Sequence, residues 1–347
     1  MAEPDPSIQA FDYDLPTEAI AQRPVEPRDA ARLLVDAGPD RSPEHRHVRD
    51  LPDLVGPGDV IVVNDTRVRP ARLRLRKATG GAVEVLLLEP DGDDPTGWQA
   101  LVRPGRRVPP GTVLVDPAEP RAPLVEVGAS LGEGRRHVHL VAGEDAVLAL
   151  GEVPLPPYIH EPLADPERYQ TVYGDRPTSV AAPTAGLHLT TEVLDRCREA
   201  GAAVATVELA VGLGTFRLIT VDDVRDHHVH RERYRVPADT LAACDAADRV
   251  VAIGTTAVRA LESAAATGEL EGSTDLYVRR GHRFAVVGAL LTNFHVPRSS
   301  LLVLVDAFVG SRWRSLYEAA LAERYRFFSF GDAMFLPGPP LDGAAPR

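Results

Sequence analysis

Two cysteines, two methionines and two tryptophans are all that 347 residues hold of those types, and aromatic residues make up only 5% of the chain. Cys197 and Cys244 stand far apart and in no metal-like spacing. They exclude a disulfide framework and fit a reducing compartment. Long apolar runs are missing too. The most apolar stretch, SSLLVLVDAFVG, carries Asp306 and is too short for a bilayer, so it predicts a buried helix and no membrane partner. The opening MAEPDPSIQAFDYDLP has neither a basic nor an apolar region, so no secretory signal is expected and the expected location is cytoplasmic. Basic residues are outnumbered 38 to 50, for a net charge of -12, which argues against indiscriminate nucleic-acid binding. What is present is 44% apolar and 25% charged residues over a length that suits two domains.

The texture changes twice along the chain. Residues 1–71 include VIVV, a short buried strand followed by the turn residues Asn64, Asp65 and Thr66. From 72 to 153, VEVLLLEP, WQALVRPG, TVLVD, PLVEVGA and HVHLVAG recur between Gly, Pro and Asp. That spacing predicts a small antiparallel barrel or sandwich, an inserted β domain. After the Pro-rich VPLPPYI, residues 154–347 alternate strands and helices. Residues 1–71 and 154–347 are therefore expected to form a main α/β domain, with 72–153 inserted into it. Within it, Thr190 or Thr191 is expected to cap a helix stopped by Gly201, and Pro297 to open the helix through SSLLVLVDAFVG. LYVRRGHRFAVVGALLTNFHV is expected to hold two strands and a loop.

Several phrases carry chemistry, and each has a plainer reading. AIGTTAVRALES sets Gly254, Thr255 and Thr256 between a strand and a helix, an arrangement that suits an anion but is also ordinary capping. It lacks the lysine of a phosphate-binding loop. GLGTF adds Gly212, Gly214 and Thr215, a weak signal alone. DHHVHRE holds His227, His228, His230 and Glu232; if extended, the last three share a face, yet the spacing is far less specific than His-Glu-x-x-His. No metal is expected. APTAGLHLT and TNFHVP each deliver a histidine, His188 and His295, from a kinked loop beside a helix start, which suggests a shared pocket with neutral imidazoles. YRFFSFGDAMF brings Phe328 and Asp332 as an aromatic wall or as core. RVRPARLRLRK crowds Arg67, Arg69, Arg72, Arg74, Arg76 and Lys77 into eleven residues, and Arg103, Arg106 and Arg107 form a second cluster. Such runs read either as charged strand edges or as a phosphate-binding strip.

Taken together, FDYDLPTEAIAQRP, GDVIVVNDTRVRPARL, PLPPYI, ERYQTVYGDRPTSVAAPTAGLHLT, VGLGTF, DHHVHRE, AIGTTAVRALES, LLTNFHVPRSSLLVLVDAFVG and YRFFSFGDAM resemble the S-adenosylmethionine:tRNA ribosyltransferase-isomerase family, in family order. The resemblance implies an α/β main domain with an inserted six-stranded β-barrel. It implies transfer and isomerisation of the ribosyl group of S-adenosylmethionine onto the aminomethyl arm of a 7-deazaguanine at the tRNA wobble position, with loss of adenine and methionine. S-adenosylmethionine is then a co-substrate, with no prosthetic group and no metal; the RNA partner would be tRNA with a GUN-type anticodon, and the chain a monomer. On this reading His188 or His295 would take the C5′ proton that the sulfonium acidifies, with Asp332 or Glu232 as a second acid or base. Thr184, Gly186, Gly212, Gly214, Thr215, Gly254, Arg259, Asn293 and Phe328 would bind substrate, Thr255 and Thr256 would hold the methionine carboxylate, and Arg67, Arg69 and Arg72 would meet tRNA phosphate.

The chain departs from the family phrases at Ala210, where a histidine is usual, and at Leu218, where a proline is usual. Leu189 replaces a phenylalanine, Arg279-Arg280 a Tyr-Pro pair and Gly288 an aspartate. Two alternatives follow: a paralogue that uses the same ribosyl chemistry on another amine or deazapurine, or a non-catalytic RNA- or nucleoside-binding relative.

Overall fold

DVIVVN is buried at every position, and its alternate side chains enter two different cores: Val60 and Val62 one, Ile61 and Val63 the other. A strand apolar on both faces belongs inside a sheet covered on both sides. The computed structural model describes residues 6–338 except 93, 95, 133 and 213–217. In it the chain separates into a large unit, built from residues up to Arg67 and from Pro156 onward, and a small unit, Val68–Leu155.

In chain order the strands of the first part are β1 Arg32–Val35, β2 Glu44–His47, β3 Asp59–Asn64 and the short β4 Thr66–Val68. The small unit follows with β5 Arg72–Lys77, β6 Ala82–Pro90, β7 Gly97–Arg103, β8 Thr112–Val115, β9 Pro123–Gly132, β10 Arg135–Leu140 and helix α1 Glu144–Leu148. The large unit resumes with β11 Arg176–Ser179, α2 Thr191–Glu199, β12 Ala203–Leu209, β13 Glu232–Arg235, α3 Ala238–Ala246 and β14 Arg249–Ile253. It ends with α4 Thr255–Thr267, β15 Glu271–Thr274, β16 Ala289–Asn293, α5 Ser300–Val309, α6 Trp313–Ala322 and β17 Ala333–Pro337.

The small unit is a closed barrel in the order β10-β7-β6-β5-β8-β9, antiparallel throughout. Strict alternation makes it close. In RLRLRK, Leu73 and Leu75 are buried while Arg74 and Arg76 are exposed, and Trp98, Ala100 and Val102 of β7 fill the same interior.

The large unit carries a nine-stranded sheet in the order β15-β13-β12-β3-β14-β16-β17-β1-β2. Its centre, β12, β3, β14 and β16, is parallel, so all four carboxyl ends open on one edge. β17 runs against β16 and pairs in parallel with β1. The α/β domain with a small antiparallel barrel is as the sequence implied. Thr190 caps α2 through its hydroxyl, which accepts from the Val193 amide at 3.1 Å.

Two local expectations need correction. Ser299, not Pro297, opens α5: its hydroxyl accepts from Leu302 N–H at 3.3 Å. Residues 276–288 form no strand. There the buried Glu262 carboxylate accepts the amides of Ala285, Val286 and Val287 at 2.8, 3.0 and 2.9 Å, supplying what a neighbouring strand would have supplied. Burial pulls the Glu262 pKa up, but these bonds and His282 hold it below the usual carboxylate range.

Candidate active site

Beyond the carboxyl ends of the parallel strands lies a cleft of about 700 Å³. That edge is where open α/β sheets place ligands. Four segments far apart in sequence build it. Pro183, Thr184 and Ala185 come from the APTAGLHLT loop, and Gly254, Thr255 and Thr256 from the β14–α4 junction. Asn293 and His295 follow β16, and Phe328 and Ser329 precede β17.

Asn293 joins these segments. Its Nδ2 donates to the Phe328 carbonyl at 3.1 Å and to His188 Nε2 at 2.8 Å, while its Oδ1 accepts from Thr184 Oγ1 at 3.0 Å. A carbonyl can only accept, so the amide orientation is fixed; His188 Nε2 must then accept, which puts the imidazole proton on Nδ1. Phe328 itself has φ of 69°, rare for an aromatic residue, and its own amide donates to the Phe294 carbonyl at 3.1 Å.

The two histidines do not share the cleft. His295 lines it, with Nε2 3.0 Å from Thr292 Oγ1. Tyr317 accepts its amide at 2.9 Å and Tyr13 donates to its carbonyl at 2.5 Å, so the backbone is clamped on both sides. His188 instead faces a smaller cavity of about 210 Å³ lined by Pro24, Val25, Arg28 and Arg168 among others. Both imidazoles are neutral. Burial pushes the pKa of each from 6.5 down to about 3, helped at His188 by Arg326, Arg168 and Arg28. The cause is burial, and not the helix start expected from the sequence.

Glu232 and Arg259, both buried, form an ion pair that ties β13 to α4. The other Glu232 oxygen accepts the Gly212 amide at 2.9 Å. Asp332 accepts the amides of Arg32 and Arg326 at 2.9 and 2.7 Å. None of these four residues lines the cleft, nor does Gly186, whose missing side chain makes room for the Tyr173 hydroxyl. Gly214 and Thr215 lie outside the described residues. His228 and His230 are exposed while Glu232 turns inward, so the shared face foreseen for DHHVHRE does not form. Among the described residues no three His, Cys, Asp or Glu side chains group to hold a metal ion.

Sequence reasoning missed Tyr158, Thr292 and Ser329. Tyr158 donates to or accepts from Ser329 Oγ at 2.7 Å, and its ring lies 4.8 Å from that of Phe328. All three stand in phrases that carry the resemblance, PLPPYI, LLTNFHV and YRFFSFGDAM, but no local pattern marks them as walls of one cleft. Of the three arginines, Arg67 in the large unit pairs with Glu167. In the small unit Arg69 stacks 5.1 Å over Trp98, and Arg72 donates to the Leu155 carbonyl at 3.3 Å.

Over residues 8–336 the chain matches the family model described as queuosine biosynthesis protein. It belongs to that family. Among curated proteins, the S-adenosylmethionine:tRNA ribosyltransferase-isomerase of Synechococcus elongatus is 49% identical, over 97% of this chain and 98% of its own. That of Rubrobacter xylanophilus is 51% identical, over 94% and 97%. The crystal structure of S-adenosylmethionine tRNA ribosyltransferase from Thermotoga maritima is 36% identical and superimposes with a TM-score of 0.53, over 94% of this chain and 99% of that one. Of the departures from the family phrases, Leu218 lines the cleft; Leu189, Ala210, Arg279, Arg280 and Gly288 do not. Arg280 forks onto Asp306, with Nε at 3.0 Å.

Proposed function

We propose that this chain is an S-adenosylmethionine:tRNA ribosyltransferase-isomerase acting on an aminomethyl-deazaguanine at the wobble position of tRNA with a GUN-type anticodon, as a cytoplasmic monomer. The observation that carries the reading is identity near 50% with enzymes of that name along almost the whole of both chains. The cleft supports it physically. Among the described residues its lining holds no ionised side chain, and Tyr158, Phe294 and Phe328 offer aromatic rings to a sulfonium cation.

In this reading His295 takes the C5′ proton. A neutral imidazole of low basicity suffices, because the adjacent sulfonium acidifies that carbon and stabilises the carbanion that forms. Adenine departs with its bonding electrons and is protonated. The acceptor amine then attacks the ribosyl carbon, loses a proton, and methionine leaves as the thioether. His188 is a positioning residue: through Asn293 it holds Thr184 and the Phe328 backbone at the cleft wall. Glu232 and Asp332 act likewise, each occupied in bonding backbone amides. Arg67, Arg69 and Arg72 meet RNA phosphate. The location of five of the six departing positions away from the cleft lining favours this reaction over the different acceptor.

The test uses S-adenosylmethionine and tRNA bearing the aminomethyl-deazaguanine, with adenine and the modified nucleoside followed by mass spectrometry. Adenine appearing with an epoxycyclopentane-bearing nucleoside is expected. Adenine released only when a small amine replaces tRNA would favour the paralogue, and no adenine at all the non-catalytic relative.

A further inference from the structure

One mouth of the cleft is formed by a helix N-terminus. Gly254 stands at the N-cap of α4, a thirteen-residue helix, with φ of 87° and no side chain to cap the helix. The first amides of a helix have no intrahelical acceptor and carry the positive end of its dipole. Thr256, one residue inside the helix, is about nine-tenths buried (9% exposed), and its Oγ1 is a buried hydroxyl without a hydrogen-bond partner. That oxygen lies 3.6 Å from where a Cβ on residue 254 would sit, so it hangs over the helix mouth itself. Gly254, Thr255 and Thr256 all line the cleft. A buried hydroxyl left unbonded costs free energy that a ligand oxygen would recover.

The remainder of the lining is equally informative. Among the described residues it contains no Asp or Glu, so no carboxylate there awaits an ammonium group. Its other walls include Val211, Leu218, Leu301, the aromatic rings and neutral polar side chains such as Thr184, Asn293 and His295.

We infer that the α4 N-terminus with Thr256 is a carboxylate subsite that selects amino-acid-type ligands by their carboxylate and is indifferent to their ammonium. This rests on the proposed function and deepens it: the ligand part held there is the methionyl carboxylate. The same subsite keeps the methionine released by the reaction, so that free methionine competes with the co-substrate. Decarboxylated S-adenosylmethionine binds poorly, whereas a deaminated analogue that keeps the carboxylate binds well.

Four probes separate the two ends of the ligand: methionine, 4-(methylthio)butanoate, which lacks the ammonium, methioninol, which lacks the carboxylate, and 3-(methylthio)propylamine, which also lacks it. Binding is read on the full chain by isothermal calorimetry and by the ligand-induced rise in melting temperature. The two acids are expected to bind within a few-fold of one another, and the alcohol and the amine about 10-fold or more weaker. Thr256→Val removes only an unbonded hydroxyl, so it is expected to fold as the parent does and to weaken both acids about 5- to 10-fold. Equal affinity of methioninol and methionine, undiminished acid binding by T256V, or binding by neither acid would each overturn the subsite. Adenine release measured with the parent chain stands apart. If the acids bind as expected and no adenine forms, the proposed function fails while the subsite stands.

Discussion

Asn293 ties together the segments that wall the cleft. It donates twice and accepts once, and all three partners are in place. Asn293→Asp removes both donors and sets an acceptor against His188 Nε2 and the Phe328 carbonyl, so adenine release should fall even though size is conserved. His295→Gln keeps a polar group in the cleft but no proton acceptor of comparable strength; the expected loss in adenine release is about 100-fold or more, against a much smaller loss in S-adenosylmethionine binding. A variant within 10-fold of the parent would remove His295 from the role of base. The buried imidazoles also set an acid limit on stability. Each has a pKa of about 3 when folded against 6.5 when free, so the unfolded chain binds the extra protons. Their contribution is complete above pH 6.5 and is lost as pH falls toward 3, at up to about 1.4 kcal/mol per pH unit for each histidine. Urea melts at pH 7 and 5 should show this slope, and His188→Gln should flatten it.

At the scale of elements, buried charge holds strand to helix. The Glu232–Arg259 pair joins β13 to α4, and removing one partner strands the other. Arg259→Ala should cost about 3–5 kcal/mol in urea unfolding, and the double change Arg259→Met with Glu232→Leu much less. The loop at Gly186 gives a second test. A Cβ there would lie 2.0 Å from the Tyr173 hydroxyl and 2.9 Å from Thr171 Cγ2. Gly186→Ala should therefore cost about 1–3 kcal/mol, and combining it with Tyr173→Phe should recover part of that loss, a non-additive pair. Elements governed by neighbouring residues were legible in the sequence: a threonine cap at 190 or 191 and the buried strand VIVV. The segment 276–288 was not. Its backbone is satisfied by Glu262, more than twenty residues earlier, and no local pattern reveals a distant carboxylate. For the same reason two loops of similar wording put His188 and His295 in different cavities; Asn293 between them decides it.

At the scale of the molecule, acidic charge dominates, so on the proposed reading RNA binding would depend on local arginines. Affinity for tRNA should fall steeply between 50 and 200 mM salt, with a log–log slope of several units, and Arg67→Ala should reduce that slope by about one. A salt-independent affinity would favour a small-molecule acceptor. The order of phrases along the chain identified the family, and turn spacing identified a β insertion, which the resemblance made a barrel. Which phrases meet at one cleft followed only from the sheet order, because the convergence of residues 184, 256, 293 and 328 on one cleft is a property of topology.

That topology has a consequence for how the protein is made. Leu33 in β1 pairs with Ala333 in β17, and β17 is also the strand that connects β1 to the central sheet. The β1–β2 hairpin thus leaves the ribosome about 300 residues before its neighbour does. At elongation speeds of about 5–20 residues per second, that is a wait of roughly 15–60 seconds with an apolar edge uncovered. Nascent chains stopped short of residue 333 should therefore bind chaperones through residues 32–47, and a single added strand at the end of synthesis should release them.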